Sequence, residues 1–130
     1  DKVKRDIPDY RKKQALLYIQ KTAAADLAEY GHRFLAAGRF ADAVEFFQAA
    51  GDRAGLETIR ARAEQEGDAM LYLQCIKALG VEASPDDWTR IGRTALAKGK
   101  ASLAKQALAR SGAPALAAEI EQALKDEPGH

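Results

Sequence analysis

Residues 84–112 read SPDDWTRIGRTALAKGKASLAKQALARSG. Ser84 is a residue type that caps helix N-termini, and Pro85 suits the first turn, where its missing N–H has no bond to make. Asp86 and Asp87 then meet the positive end of the helix dipole. A helix is therefore expected from Pro85 to about Lys98. Within it Trp88, Ile91 and Ala95 recur at the three- and four-residue spacing of one helical face. Gly99 follows, and a glycine just past a helix supplies the left-handed backbone that closes it. A second amphipathic run sets Ala104 and Leu108 on one side and stops at Gly112. The stretch predicts helix, tight turn, helix, which is an αα-hairpin.

The same internal geometry occurs twice more. Gly38, Gly67 and Gly99 each follow an amphipathic stretch, and 13 residues after each comes Gly51, Gly80 or Gly112. Counting back 15 residues from the first set gives Ala23, Asp52 and Ser84, so the units are 23–51, 52–80 and 84–112. Their apolar positions agree. The first helices carry Leu27, Leu56 and Trp88, then Tyr30, Ile59 and Ile91, then Phe34, Ala63 and Ala95. The second helices carry Ala43, Tyr72 and Ala104, then Phe47, Ile76 and Leu108, then Ala50, Leu79 and Ser111. Alanine is abundant and β-branched residues are few. Pro8, Pro85, Pro114 and Pro128 stand where helices begin or end, so helix is expected almost throughout.

Two further helical segments flank the units. Residues 9–21 offer Leu16, Leu17 and Ile19 for packing; with no breaker before the first unit, they form either a separate helix or the start of a long one. Residues 114–126 open on Pro114 and place Leu116, Ile120 and Leu124 on one side, with Glu119, Glu121, Gln122 and Lys125 on the other. That is the pattern of a repeat array's terminal cap. Glu127 to His130 are expected to fray.

These residues resemble a tetratricopeptide repeat. Trp88, Ile91, Gly92, Gly99, Ala104 and Leu108 look like its W, L, G, turn, A and F positions, and Leu27, Tyr30, Gly31, Phe34, Ala43, Phe47 and Ala50 match in the first unit. The second unit departs, with Arg60 in place of the small residue and Tyr72 in place of the alanine. The units recur after 29 and 32 residues, against about 34 in the family. The resemblance implies an all-α fold, a right-handed α-solenoid of three antiparallel hairpins with flanking N- and C-terminal helices. It also implies a concave side lined by the first helices, where the family's groove positions fall on Ala28, His32, Leu35, Glu57, Ala61, Glu64, Thr89, Arg93 and Leu96. Of these, His32, Leu35, Glu57, Glu64, Thr89, Arg93 and Leu96 are the candidate partner-binding residues. Chaperone-binding members grip a terminal carboxylate with Lys, Asn and Arg; the matching positions here are Ala28, His32, Thr58, Asp86 and Arg90, and only one of the five fits.

Composition narrows the function. A chain of 130 residues, 47% hydrophobic, has no apolar run approaching the roughly 18 residues of a membrane helix, and reads as one domain over 1–130. It is long enough to bury a core without a disulfide or metal. The lone Cys75 offers neither a disulfide partner nor a zinc framework, fits a cytoplasmic setting, and is expected as a buried, inert thiol. No signal sequence opens the chain, yet it lacks an initiator Met, so it is either processed or cut from something longer. Catalysis requires converging polar groups, and His32 is the one internal histidine. Thr94 to Ser102 faintly echoes a phosphate-binding loop, but Thr94 replaces the first glycine and Ala101 the required Ser or Thr. No enzyme activity, cofactor or metal is expected.

The net charge is +1, so attraction to nucleic acid would need a local patch. Arg90, Arg93, Lys98, Lys100, Lys105 and Arg110 lie between Trp88 and Ala118 with no acidic residue among them. Spread around two helices, they read first as solvated faces and next as a patch for an acidic protein segment. The favoured function is a protein-interaction or scaffold module that binds a peptide or helix of a partner protein. The alternative is a nucleic-acid-binding helical repeat using the basic third hairpin, and it ranks below because stacking aromatics are missing there.

Overall fold

A computed structural model describes residues 7–126; the fraying expected at Glu127 to His130 lies outside the described residues. The chain is all-helical, with no strand among the described residues. In order come α1 (Tyr10–Gln14), a π-helical turn (Ala15–Ile19), α2 (Ala24–Ala36), α3 (Phe40–Ala50), α4 (Arg53–Glu66), α5 (Ala69–Leu79), α6 (Pro85–Ala97), α7 (Ala101–Ser111) and α8 (Pro114–Asp126). Two compact units divide the chain after Ile59.

The glycine pattern sets these boundaries. Gly38, Gly51, Gly67, Gly80, Gly99 and Gly112 all have φ between +63° and +75°. In that region a Cβ crowds the following carbonyl, so glycine is the residue that closes a helix there without cost. The closure is visible in the bonds: the N–H of Arg39 reaches Phe34 O (2.9 Å) and that of Lys100 reaches Ala95 O (2.8 Å). Each bond satisfies a carbonyl that the helix end leaves unpaired. At the starts, Ser84 Oγ accepts from Asp87 N (3.1 Å) while Asp87 Oδ2 accepts from Ser84 N (2.9 Å). This reciprocal capping box fixes the start of Pro85–Ala97, which stops within one residue of its expected end. Asp52 and Asp68 accept from Gly55 N and Leu71 N (3.0 Å each). Residues 9–21 do not run on into a long helix but are separate from α2, broken at Gln20–Ala23.

In the first unit α2 packs along α3, and the π turn rests on α3. Leu27, Phe34, Ala43, Val44, Phe46 and Phe47 form its buried centre. Gly31 and Gly55 lie against the Phe47 ring, where an added Cβ would come within 2.7 Å of ring carbons. The phenylalanine fills the space that two helical glycines leave empty. Tyr30 and Ala50 are half-buried.

In the second unit α6 packs along α7, α5 packs on both, and α8 covers α6 and α7. Trp88, Ile91, Ala95, Ala104, Leu116 and Ile120 are buried, with Leu124 packed against them. Leu108 and Ser111 are only half-buried. The bulk is redistributed relative to the first unit: Gly92 here faces Leu116 of α8, a hypothetical Cβ meeting its methyl at 2.6 Å. Trp88, 5% exposed, meets Tyr72 edge-on, with centroids 5.1 Å apart. Cys75 is fully buried.

Candidate functional site

Among the residues expected to meet a partner, His32 and Leu35 belong to α2. His32 is exposed, with its ring edge-on to Phe47 (4.9 Å) and Nε2 4.0 Å from Asp52 Oδ2. Leu35 is half-buried beside the fully buried Phe34. Glu57, on α4 in the same unit, is half-buried.

The others lie in the second unit. Glu64 is half-buried, 4.0 Å from Arg60 Nε. The Thr89 hydroxyl is tied to its own helix, donating to Pro85 O at 3.0 Å. Arg93 is exposed and donates from Nε to Glu119 Oε2 of α8 at 3.1 Å. Leu96 is half-buried against the cluster of Ala95, Ala104, Leu116 and Ile120. Within this unit Arg93 and Leu96 therefore both face groups of α8 or the core beneath it, while Thr89 is half-buried with its hydroxyl held by its own helix.

The basic stretch is paired with acids from outside it. Arg90 meets Asp87 (3.1 Å), and Lys98 and Lys100 both approach Glu66 Oε2 (3.8 and 3.4 Å). Lys100 Nζ also donates to the Glu66 carbonyl at 3.0 Å, at the negative end of α4. The hydrogen bond from Lys100, with the charges of Lys98 and Lys100, holds the Glu66 carboxyl below its usual range. Arg110 lies over the Trp88 ring at 5.5 Å, a cation–π contact. Lys105 is exposed.

The segment that echoes a phosphate loop is the end of α6, a turn at Gly99 and the start of α7. Among the described residues no group of three His, Cys, Asp or Glu side chains could hold a metal. None of the described helices is long and apolar enough to cross a membrane.

Two features escaped sequence reasoning. The first is a cleft of about 500 Å³ in the first unit, lined in part by Leu16, Gln20, Asp26, Glu29, Tyr30 and Arg33. Its walls are already engaged, with Arg33 bonded to Glu29 (2.9 Å) and lying over Tyr30 (5.0 Å). The second is the seat of Lys13, whose ammonium meets Asp42 (2.7 Å) and Glu45 of α3. Asp42 and Glu45 stand three residues apart on one helical face, as do Lys13 and Leu16; that matched spacing was the available signal. Comparison with protein-family models, with curated proteins and with solved structures found no match.

Proposed function

We propose that the chain is a non-enzymatic protein-interaction module. In this reading three antiparallel hairpins form a right-handed α-solenoid similar to tetratricopeptide arrays, and a peptide or helix of a partner protein lies along the first helices. The observation that supports it is a register shared by α2 and α6. Each buries a stripe (Leu27, Gly31, Phe34; Trp88, Gly92, Ala95) and leaves the next residues at or near the surface (Ala28, His32, Leu35; Thr89, Arg93, Leu96). These mix apolar groups with hydrogen-bonding and charged ones, which suits an extended peptide or amphipathic helix.

The pairing of Arg90, Arg93, Lys98 and Lys100 with carboxylates weakens the alternative, nucleic-acid binding by the basic stretch. Two substitutions test the groove. Arg93→Gln, at an exposed side chain, should change stability by no more than about 0.5 kcal/mol, and Leu35→Glu, at a half-buried one, should cost more yet leave the chain folded. Both should weaken capture of a partner recovered by the wild-type chain. Normal capture by both variants, or unfolding of both, would exclude the groove.

A further inference from the structure

Lys13 sits on α1 with its side chain 12% exposed. Its ammonium is clamped between Asp42 and Glu45, and Arg39 Nε adds a second cation to Asp42 at 2.9 Å. The buried Oε2 of Glu45 rests against the same ammonium. Three residues on, Leu16 is 6% exposed and is the buried side chain of the π turn. Other large side chains of the segment are bare: Tyr10, Tyr18 and Ile19 are 74%, 69% and 79% exposed. The Lys13 ammonium thus fastens Tyr10–Ile19 to α3, on which the π turn also rests, while Leu16 lines the cleft beside Tyr30 and Arg33 of α2.

Site and occupant are unequal. The acidic strip belongs to α3, an 11-residue helix anchored by Val44, Phe46 and Phe47. The occupant has five α-helical and five π-helical residues. Isolated helices shorter than about 12 residues are marginal in water, and π turns are rare. The segment holds its shape because it is docked. Any helix offering the same two groups at the same spacing, on a backbone that stays helical unaided, would compete for the strip.

We propose that the strip of α3 around Asp42 and Glu45, with the adjoining cleft that Leu16 lines, is a docking site for a basic amphipathic helix carrying lysine and leucine three residues apart, and that Tyr10–Ile19 is its intramolecular occupant. A partner helix of this kind enters by displacing that segment. The site uses α3 and the cleft beside Tyr30 and Arg33, and it shares no residue with the groove proposed above along α2 and α6.

The test uses the full chain and a fluorescent peptide with the sequence of residues 7–21. The tethered segment competes at an effective concentration in the millimolar range, so wild type should bind the peptide at least about tenfold more weakly than a Lys13→Gln, Leu16→Asn chain. Adding Asp42→Asn and Glu45→Gln to that chain should abolish the difference, as should replacing the lysine of the peptide; Leu35→Glu should change nothing. Should the double variant lose its fold, hydrogen exchange of the Lys13→Gln chain decides. Amides of Gln14–Gln20 should lose protection at least tenfold while those of α2 and α3 keep theirs. Equal peptide binding by both chains, unchanged protection of Gln14–Gln20, or a swapped dimer that never admits the peptide would overturn the proposal.

Discussion

Gly67 combines two demands that the other turn glycines meet singly. Its φ is +68°, and a Cβ there would lie 2.4 Å from the Ala95 backbone nitrogen; at Gly38, with φ +75°, a Cβ would meet nothing within 4 Å. A side chain in left-handed backbone costs about 1–2 kcal/mol, and forced overpacking adds about 1–3. Gly38→Ala should therefore cost about 1–2 kcal/mol and Gly67→Ala about 2–5 in urea unfolding; equal losses would mean that the chain at Gly67 yields easily. Trp88→Ala removes a ring buried against Tyr72 and should cost about 3–5 kcal/mol. A loss under about 1 kcal/mol would show that the ring carries little packing. The turn glycines were legible because backbone conformation restricts residue type directly. The close approach of Gly67 to Ala95 was not, since it joins residues 28 positions apart and leaves no local pattern.

At the scale of elements, α6 was readable almost to the residue because Ser84, Pro85 and Asp87 act within one turn of each other. The π turn was not readable, and neither was the seating of α1. Those depend on Lys13 finding Asp42, 29 residues away. Burial alone would raise the Asp42 pKa, but the hydrogen bond and charge of Lys13, with those of Arg39, outweigh it and hold the carboxyl below its ordinary 3.8. Burial likewise pulls Lys13 down, and the bonds and charges of Asp42 and Glu45 outweigh that, leaving it above 10.5. A carboxyl with a lowered folded pKa stabilises fully above its unfolded value and loses that contribution as pH falls through the folded one. An ammonium with a raised folded pKa stabilises fully below its unfolded value and loses it as pH rises through the folded one. The dock should thus hold between about 3.8 and 10.5 and loosen outside that range. Protection factors of Gln14–Gln20, corrected for intrinsic exchange, should be flat from pH 8 to 5 and drop below 3.8. An Asp42→Asn chain should show a weaker dock with a smaller acid drop; an unchanged one would remove Asp42 from the account.

Across the whole molecule, the formal charge of +1 conceals how the cations are used. The stretch Trp88–Ala118 reads as purely basic, yet Lys98 and Lys100 share Glu66, Arg93 holds Glu119 and Arg90 holds Asp87. Exposed ion pairs add little stability. They do lower the field that a polyanion would meet, and a count along the sequence missed this because Glu66 and Glu119 lie outside the stretch. Wild type should therefore bind single-stranded RNA feebly, with little salt dependence. Changing Glu66 and Glu119 to Gln releases Lys98, Lys100 and Arg93, and each further phosphate that these cations neutralise steepens log K against log salt by about 0.7. The double variant should bind RNA more tightly, with a slope steeper by up to about 2, while its circular dichroism stays that of the wild type. Six engaged cations would give a slope near −4. If the wild-type chain already showed that slope, the carboxylates would not be masking the basic surface, and nucleic acid would replace a protein as the better partner for it.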